Sequence, residues 1–196
     1  MDEVSAGPGR PRDPKVDDAI LAGTVEVLTE RGWAGTTIEE VASRSGVAKT
    51  SIYRRYGSKA ALVAAAATRD RATRFPGFDT GSAWGDFTAF ILGSLRMLAS
   101  VWKQVLPGML AEAAADPEIS AVVQEFWVWR REAVAGIVRR GVERGEIRAE
   151  TDPELVLDLF DGPVLFRLLV TRAPLDARYA DRLVDEVMRL IGTSWH

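Results

Sequence analysis

Hydrophobic residues recur every three to four positions along almost the whole chain, the period of an α-helix that is buried on one side. No stretch alternates as a convincing pair of strands would, and no internal repeat is visible. Stop and start signals divide the pattern into helices, with a brief extended piece after Gly145. The helices are predicted at about residues 14–31, 38–45, 48–55, 58–74, 82–101, 104–115, 117–145, 153–172 and 176–192. The predicted fold class is all-α.

Several helix ends are predicted from local chemistry. Arg31-Gly32 is a stop signal for the first helix. Asp116-Pro117 and Asp152-Pro153 each place an N-cap carboxylate before a proline that suits the first turn. Gly162-Pro163 lies inside a helical segment and predicts a kink there, because proline cannot donate the helical hydrogen bond.

Two loop-like stretches divide the chain. Residues 1–13 are rich in glycine, proline and charge and are predicted to form a flexible basic arm. Such an arm either follows a DNA backbone or groove, or is only a solubilising tail. The loop at 76–81 separates a small unit at 14–75 from a larger helical unit at 76–196.

Composition excludes most enzyme chemistry. The chain has no cysteine, and its only histidine is His196, the last residue. A zinc site built on these residues and any Ser-His or Cys-His catalytic pair are therefore excluded. Two carboxylate pairs, Asp158 with Asp161 and Asp116 with Glu118, lack further ligands. We predict no catalytic residue, no metal site, no cofactor and no enzymatic activity.

Targeting signals, membrane segments and the distribution of charge indicate which kinds of partner to expect. The start of the chain has no apolar signal segment, and no apolar run approaches the roughly 18 residues that span a bilayer. We therefore expect a cytoplasmic protein without a membrane partner. Although the formal net charge is −3, residues 44–59 contain five basic residues and no acidic one. A local basic stripe of this kind suits binding to phosphates.

The basic stripe coincides with the parts of a helix-turn-helix. Thr36-Thr37-Ile38-Glu39-Glu40 offers a capping box in either of two registers, and Ile38, Val41 and Ala42 give the first helix an apolar side. Gly46 permits a tight turn, and the second helix packs its Ile52 side chain against the core. Such a pair of helices places the second one in a major groove about 12 Å wide.

These residues make the resemblance to a known family specific. The segments 36–42, 45–56 and 58–62, with the preceding Arg31-Gly32-Trp33, resemble the DNA-binding domain of the TetR family of transcriptional regulators. The resemblance covers about residues 14–65. It implies a three-helix helix-turn-helix domain followed by a helical bundle for ligand binding and dimerisation. It also implies a homodimer that represses transcription from a palindromic operator in double-stranded DNA, until a small-molecule effector relieves the binding.

The resemblance, together with side-chain chemistry, gives a set of expected DNA contacts. Thr37 is expected at a phosphate, and Lys59 is expected to clamp a phosphate at the start of the next helix. The complete predicted set is Thr36, Thr37, Lys49, Thr50, Ser51, Tyr53, Arg54, Arg55 and Lys59. Ala48 departs from the family pattern, because a capping serine or threonine is usual there. That loss costs the second helix about 1 kcal/mol.

The C-terminal unit is rich in aromatic residues that are either core or the lining of a ligand pocket. The predicted ligand-binding set is Phe87, Phe90, Trp102, Met109, Phe126, Trp127 and Arg130. The segment 153–172 is apolar on two sides, so it is expected to bury one side in its own core and the other against a second copy. The predicted dimer residues are Leu155, Leu159, Phe166, Leu183, Val187 and Leu190.

Two alternatives stay open at this point. The protein could bind DNA and regulate without a small ligand, for instance through a protein partner. It could also be a helical enzyme or an interaction scaffold that only resembles the family.

Overall fold

The computed structural model describes residues 13–74 and 78–193, and these residues form helices joined by short loops. The α-helices are α1 (Pro14–Gly35), α2 (Ile38–Ser45), α3 (Lys49–Tyr56), α4 (Lys59–Arg74), α5 (Ala83–Leu98), α6 (Trp102–Ala113), α7 (Pro117–Glu143), α8 (Pro153–Phe166) and α9 (Ala177–Ile191). Within the described ranges, extended pairing is limited to one antiparallel bridge between Ile147 and Gly192. The predicted all-α class is confirmed. Residues 1–12 of the predicted basic arm lie outside the described residues, and its last residue, Asp13, caps α1.

The local signals for helix ends agree with the structure. Gly32 has a φ of 64°, which interrupts the regular part of α1 where the stop signal predicts it. The Asp116 carboxylate accepts a hydrogen bond from the Glu118 backbone N–H at 2.8 Å. Asp152 caps α8 in the same way. The Ser58 hydroxyl accepts a hydrogen bond from the Ala61 N–H at 3.1 Å at the start of α4.

The segment predicted as one helix over 153–172 is divided in two. Pro163 lies inside α8, which stays α-helical up to Phe166. Residues Arg167–Thr171 then form a π-helix, which ends at Arg172 with a φ of 54°. The helical pattern therefore changes at Arg167, four residues after Pro163, where each turn takes in an extra residue.

Three apolar clusters hold the described residues together. The first is the core of the helix-turn-helix unit, in which Ile20, Ile52 and Leu62 are fully or almost fully buried. The largest is the core of the C-terminal unit, built by α5, α7, α8 and α9 around Phe87 and Phe160, whose ring centres are 5.0 Å apart.

The third cluster joins the two units. Leu28 and Trp33 of the first unit pack with Trp102, Val105 and Met109 of α6. A Cβ on Gly108 of α6 would lie only 3.0–3.2 Å from the Trp33 side chain. The helix-turn-helix unit is therefore packed on α6 through buried apolar surface, in addition to the separate core of each unit, and the domain boundary at 75–76 stays a prediction.

A polar clamp holds the chain where it enters α5. The fully buried Asp86 carboxylate accepts hydrogen bonds from the Thr80 N–H at 2.6 Å and from the Thr80 hydroxyl at 2.8 Å. Arg140 of α7 donates to the same carboxylate at 3.1 Å. Although burial opposes it, these hydrogen bonds hold the pKa of Asp86 below its usual value.

Among the described residues, no single helix combines the length and hydropathy of a membrane span, although α5 and α6 meet that standard when taken together across an 88° bend.

Candidate DNA interface

The helix-turn-helix is built by α2, a tight turn and α3. The Thr37 hydroxyl accepts a hydrogen bond from the Glu40 N–H at 3.2 Å, so the second of the two possible capping registers is the one used. Gly46 has a φ of 68° and a ψ of 14°, the left-handed conformation that glycine adopts without steric cost. Ile52 is fully buried against the core and fixes the rotation of α3.

The outer side of α3 carries side chains that can reach a DNA groove. Lys49, Thr50, Tyr53 and Arg54 are exposed, and Tyr53 exposes 44% of its surface. At 3.6 residues per turn, these four positions cover an arc of about 140°, on the other side of the helix from Ile52. Ser51 lies at the edge of this arc and is half-buried.

The N-terminus of α3 lacks a side-chain cap. Ala48 occupies the N-cap position with a φ of −56° and a ψ of 134°, and no side chain accepts a hydrogen bond from the first turn. The departure noted in the sequence therefore leaves backbone N–H groups of α3 unpaired by protein.

Ala48→Ser is expected to raise the free energy of unfolding by about 1 kcal/mol, because a serine hydroxyl at the N-cap position would accept a hydrogen bond from the first turn of α3. Ala121→Ser is the matched control, since Ala121 is exposed inside α7 and a serine there slightly disfavours the helix. Chemical denaturation of the two variants measures the difference. Equal stabilities would show that α3 gains nothing from a cap.

Lys49 is paired in the free protein. Its ammonium donates to the Glu39 carboxylate of α2 and lies 5.6 Å from the centre of the Tyr53 ring. This hydrogen bond raises the pKa of Lys49 and lowers that of Glu39. Both side chains are exposed, so the pair is weak and Lys49 can exchange it for a phosphate or a base edge.

Two residues of the predicted contact set, Thr36 and Arg55, face the rest of the protein instead of the solvent. The Arg55 guanidinium donates to the Asp17 carboxylate of α1 at 2.8 Å, and only 15% of its side chain is exposed. The Tyr56 hydroxyl donates to the same carboxylate at 3.2 Å. Thr36 is 2% exposed, and its hydroxyl donates to the Gly32 carbonyl at 2.7 Å. We therefore remove Thr36 and Arg55 from the candidate interface, because they hold α3 and the start of α2 on α1.

The basic stripe is also smaller than its sequence indicates. Arg44 donates to Glu30 at 2.6 and 2.7 Å and to Glu26 at 3.2 Å, so it joins α2 to α1. Together with Arg55 and Lys49, three of the five cations at 44–59 thus have carboxylate partners. The sequence shows that the first helix carries Asp17, Glu26 and Glu30 to balance the stripe, but it does not show these pairings, since only the assembled fold brings α1 beside α2 and α3.

Lys59 lies at the start of α4, where the chain turns towards the C-terminal unit. Its ammonium is 4.1 Å from the centre of the Trp33 ring, within the range of a cation–π contact. Burial lowers the pKa of Lys59, and the nearby Glu112 carboxylate acts in the opposite direction. Lys59 is half-buried, and its contact with a phosphate stays a prediction.

Comparison with known proteins decides the family. The profile of the tetR family of bacterial regulatory proteins matches residues 20–66, and that of the tetracyclin repressor-like C-terminal domain matches residues 78–187, more than half of the chain. The chain is 30% identical over 177 residues to the uncharacterised HTH-type transcriptional regulator YdeS of Bacillus subtilis, covering 90% of this chain and 89% of that one. The chain belongs to the TetR family.

Two further relatives agree with this. A DNA-binding transcriptional repressor TetR of Mycobacteroides abscessus is 30% identical over 181 residues, covering 88% of this chain and 92% of that one. The crystal structure of the TetR family transcription regulator SCO0332 superposes with a TM-score of 0.76 at 26% identity, covering 89% and 97% of the two chains. The protein is thus a TetR-family transcriptional regulator with a helix-turn-helix DNA-binding domain, a family of regulators rather than of enzymes.

A second site in this TetR regulator is an apolar cavity between α4, α6 and α7. Four of the predicted ligand-binding residues line it, namely Trp102, Met109, Phe126 and Trp127. Its other wall comes from α4, through Val63, Ala64, Ala67, Thr68 and Arg71, which sequence reasoning missed. The small side chains of α4 are the signal that could have indicated open space there. The cavity has a volume of about 70 Å³.

The other three predicted ligand residues do not line this cavity. Phe87 and Phe90 are fully buried in the C-terminal core and do not line this cavity. Arg130 is 3% exposed and its charge is already compensated. Its Nε donates to Asp161 at 2.8 Å, a second guanidinium nitrogen donates to the other carboxylate oxygen, and a third donates to the Ser94 hydroxyl at 2.9 Å. Phe87 and Phe90 thus serve the packing of the core. Arg130 lines a second, smaller cavity that shares Phe126 and Trp127 with the first, so its role in ligand binding stays a prediction.

A third feature is an exposed apolar face on α8, the π-helix and α9. The exposed fractions of Leu155, Phe166, Leu169, Val170 and Leu190 are 57%, 56%, 45%, 64% and 50%. Leu159 and Leu183 are half-buried beside them. Val187, which was predicted at the dimer interface, is 2% exposed in the core of its own chain and has no free surface to offer. Leu169 and Val170 were not in the predicted set.

Proposed function

We propose that the protein is a homodimeric transcriptional repressor that binds a palindromic operator through α3 and leaves it when a small molecule enters the cavity lined by α4. The observation that carries the proposal is the exposed polar and basic arc of α3, held at a fixed rotation by Ile52. Repression is further supported by the relative from Mycobacteroides abscessus that is named as a repressor. A regulator of this kind acts in the cytoplasm, where its DNA is.

The side chains of the arc suit different kinds of contact with DNA. Lys49, Tyr53 and Arg54 can donate to base edges or phosphates, and the Thr50 methyl group can contact a thymine methyl. Thr37 at the start of α2 and Lys59 at the start of α4 flank the arc and suit backbone phosphates, which fix the register.

A footprint on genomic fragments that the purified protein selects tests this proposal, with its own upstream region included. The expected result is a protected palindrome whose half-sites lie one helical turn (about 34–36 Å) or a small multiple apart. Salt-sensitive binding without sequence preference would contradict it, because that result would leave α3 as an electrostatic surface only.

The dimer is proposed to form through the exposed apolar face of α8, the π-helix and α9. Five large apolar side chains are exposed on these three elements, and such exposure is typical of an interaction site. Two copies related by a twofold axis would bury it in a four-helix contact. That arrangement would fix the distance between the two α3 helices.

Replacing Phe166 with glutamate is expected to weaken the dimer at least tenfold, because two carboxylates would be buried in the interface without partners. Phe166 is more than half exposed in the monomer, so the substitution should lower the stability of the monomer only slightly. Sedimentation equilibrium measures the change. Val128→Glu is the matched control, because Val128 is 45% exposed on α7 outside the face. If the Phe166→Glu and Val128→Glu variants have the same dimer dissociation constant, the interface lies elsewhere.

The proposed ligand response runs through α4. This helix begins at the DNA-binding domain, lines the cavity along Val63–Arg71 and is tied to α6 by a hydrogen bond from the Trp102 Nε1–H to the Asp70 carboxylate at 2.7 Å. The cavity is well below the roughly 300–1,000 Å³ of common ligand sites, so an effector must push its walls apart. A ligand that fits the expanded form better shifts the population of the dimer away from DNA.

The same small volume favours a second candidate function, regulation by a protein partner without a small ligand. Tryptophan fluorescence separates the two, since Trp102 and Trp127 line the cavity. A compound that changes fluorescence and lowers operator affinity supports the ligand response, provided that Trp127→Phe removes most of the signal and Trp84→Phe does not. Trp84 is the control because it lies on the surface, bonded to Asp185 at 2.8 Å. If a broad screen finds no compound that changes either the fluorescence or the operator affinity, regulation by a protein partner is supported.

A further inference from the structure

A larger cleft lies between the end of α5, the start of α6 and the segment that follows α8. Its volume is about 820 Å³, within the roughly 300–1,000 Å³ that hold small ligands. It shares no lining residue with the cavity at α4. The cleft is therefore separate from that cavity, although the π-helix that forms one of its walls also carries part of the face proposed for the dimer.

The cleft combines an apolar floor with a cationic rim. Leu95 and Leu98 of α5, each 6% exposed, form the floor together with half-buried Leu168 and Leu175. Three cations stand around it, namely Lys103, Arg167 and Arg172. No carboxylate belongs to the described residues that line the cleft.

The cations of the cleft have different roles. Arg167 donates to the Pro174 carbonyl at 2.9 Å and lies 3.8 Å from the centre of the Tyr179 ring, so it holds the wall formed by residues 173–175. Lys103 and Arg172 are exposed and form no ion pair with any described residue. Arg44, Arg130 and Arg140, by contrast, each lie against a carboxylate. Uncompensated positive charge thus collects at this rim.

The backbone at the rim is also unusual. Arg172 has a φ of 54°, and no other non-glycine residue in the described ranges has a positive φ. It directly follows the π-helix, which directs Leu168 towards the cleft and leaves Leu169 and Val170 exposed. π-Helical turns and left-handed non-glycine residues are both enriched at binding sites, where strain places a side chain that regular geometry would not.

We propose that this cleft binds an amphipathic organic anion, with the apolar body on the leucine floor and the anionic head group between Lys103 and Arg172. A neutral analogue would gain only the apolar contact. A cation would be repelled by the rim, because no carboxylate among the described lining residues is there to receive it. A carboxylate and a phosphate head group both satisfy this chemistry.

Isothermal titration of the full-length protein without DNA tests the proposal with three probes that share one alkyl chain: dodecanoate, dodecyl phosphate and dodecanol, the two anions below their micellar concentrations and dodecanol below its solubility limit. At least one anion is expected to bind ten times more tightly than dodecanol, and the tighter anion identifies the preferred head group. Equal affinities for all three, or no binding of either anion, would overturn the proposal.

A charge-removing variant locates the site. Lys103→Gln with Arg172→Gln is expected to weaken anion binding at least tenfold and to leave dodecanol binding and the thermal unfolding midpoint unchanged, since neither side chain forms an ion pair with a described residue. Arg139→Gln is the matched control, because Arg139 is an exposed arginine of α7 away from the cleft. If the double variant and the control bind the anion equally well, the anion is recognised elsewhere and the proposal is wrong.

Discussion

Replacing Lys49 and Tyr53 together with alanine is expected to lower operator affinity at least 100-fold while the protein keeps its fold and its dimer. Both side chains lie on the exposed arc of α3, and each specific contact to a base or phosphate contributes about 1–3 kcal/mol. A dimer presents the arc twice, so the loss is doubled on a palindrome. Lys49 gives up only an exposed pair with Glu39, which costs the fold little.

Electrophoretic mobility shifts at several salt concentrations measure this loss and divide it between the two residues. If Lys49 contacts a phosphate, Lys49→Ala alone reduces the slope of log affinity against log salt, whereas Tyr53→Ala leaves that slope unchanged. Arg139→Ala, which removes an exposed cation far from α3, serves as the control. Operator binding at the original affinity by the double variant would show that α3 does not enter the groove.

The parts of the fold that sequence predicted well depend on residues within four positions of one another. Thr37 caps α2, Gly46 makes the turn and Asp152 caps α8, and in each case both partners are visible in one short stretch. The rotation of α3 was predictable for the same reason, since Ile52 is its only strongly apolar position facing a core. Local rules of this kind fixed the placement of the motif.

The candidate site was less predictable where its contacts cross long separations. Arg55 pairs with Asp17, which is 38 positions earlier, and no spacing rule connects them. Arg44 similarly pairs with Glu30, 14 positions earlier. Counting cations along the chain therefore overestimated the free charge at α3. The partners became apparent only when α1 was packed across α2 and α3.

Aromatic residues posed a different problem, because hydrophobicity does not distinguish a core from the wall of a cavity. Phe90 and Phe126 look alike in sequence, yet Phe90 is fully buried in the C-terminal core and Phe126 lines open space. The difference lies in what faces them. Ala64 and Ala67 of α4 are too small to fill the space in front of Phe126 and Trp127, and so a cavity is left.

This arrangement also connects the two halves of the proposed mechanism. Trp33 and Leu28 anchor the DNA-binding domain on α6, and α4 crosses from that domain to the cavity. Two of the elements that line the cavity, α4 and α6, therefore also contact the helix-turn-helix unit, so a shift of either one would reach α3. Close-packed interiors respond to such a change by moving whole elements, because they cannot absorb it locally.

Asp161→Asn is expected to lower the free energy of unfolding by about 3–5 kcal/mol. Arg130 is 3% exposed and its guanidinium lies 4.4 Å from the centre of the Phe90 ring, so it cannot reach water when its carboxylate is neutralised. The Ser94 hydroxyl and the amide oxygen of the new asparagine could still accept hydrogen bonds from it, but neither group carries a compensating charge. Since whole domains are stable by only about 5–15 kcal/mol, the variant should unfold at much lower denaturant concentration.

The comparison that interprets this loss is the double variant Arg130→Met with Asp161→Leu, measured by urea unfolding at one fixed protein concentration. Replacing both charges with apolar residues removes the uncompensated cation, so its stability is expected to return to within about 1–2 kcal/mol of the original protein. Asp158→Asn, an exposed position one turn away on α8, should change stability by no more than about 0.5 kcal/mol. If the double variant is as unstable as Asp161→Asn, the ion pair itself stabilises the fold. If Asp161→Asn matches Asp158→Asn, the Arg130 guanidinium does not depend on Asp161 for compensation of its charge.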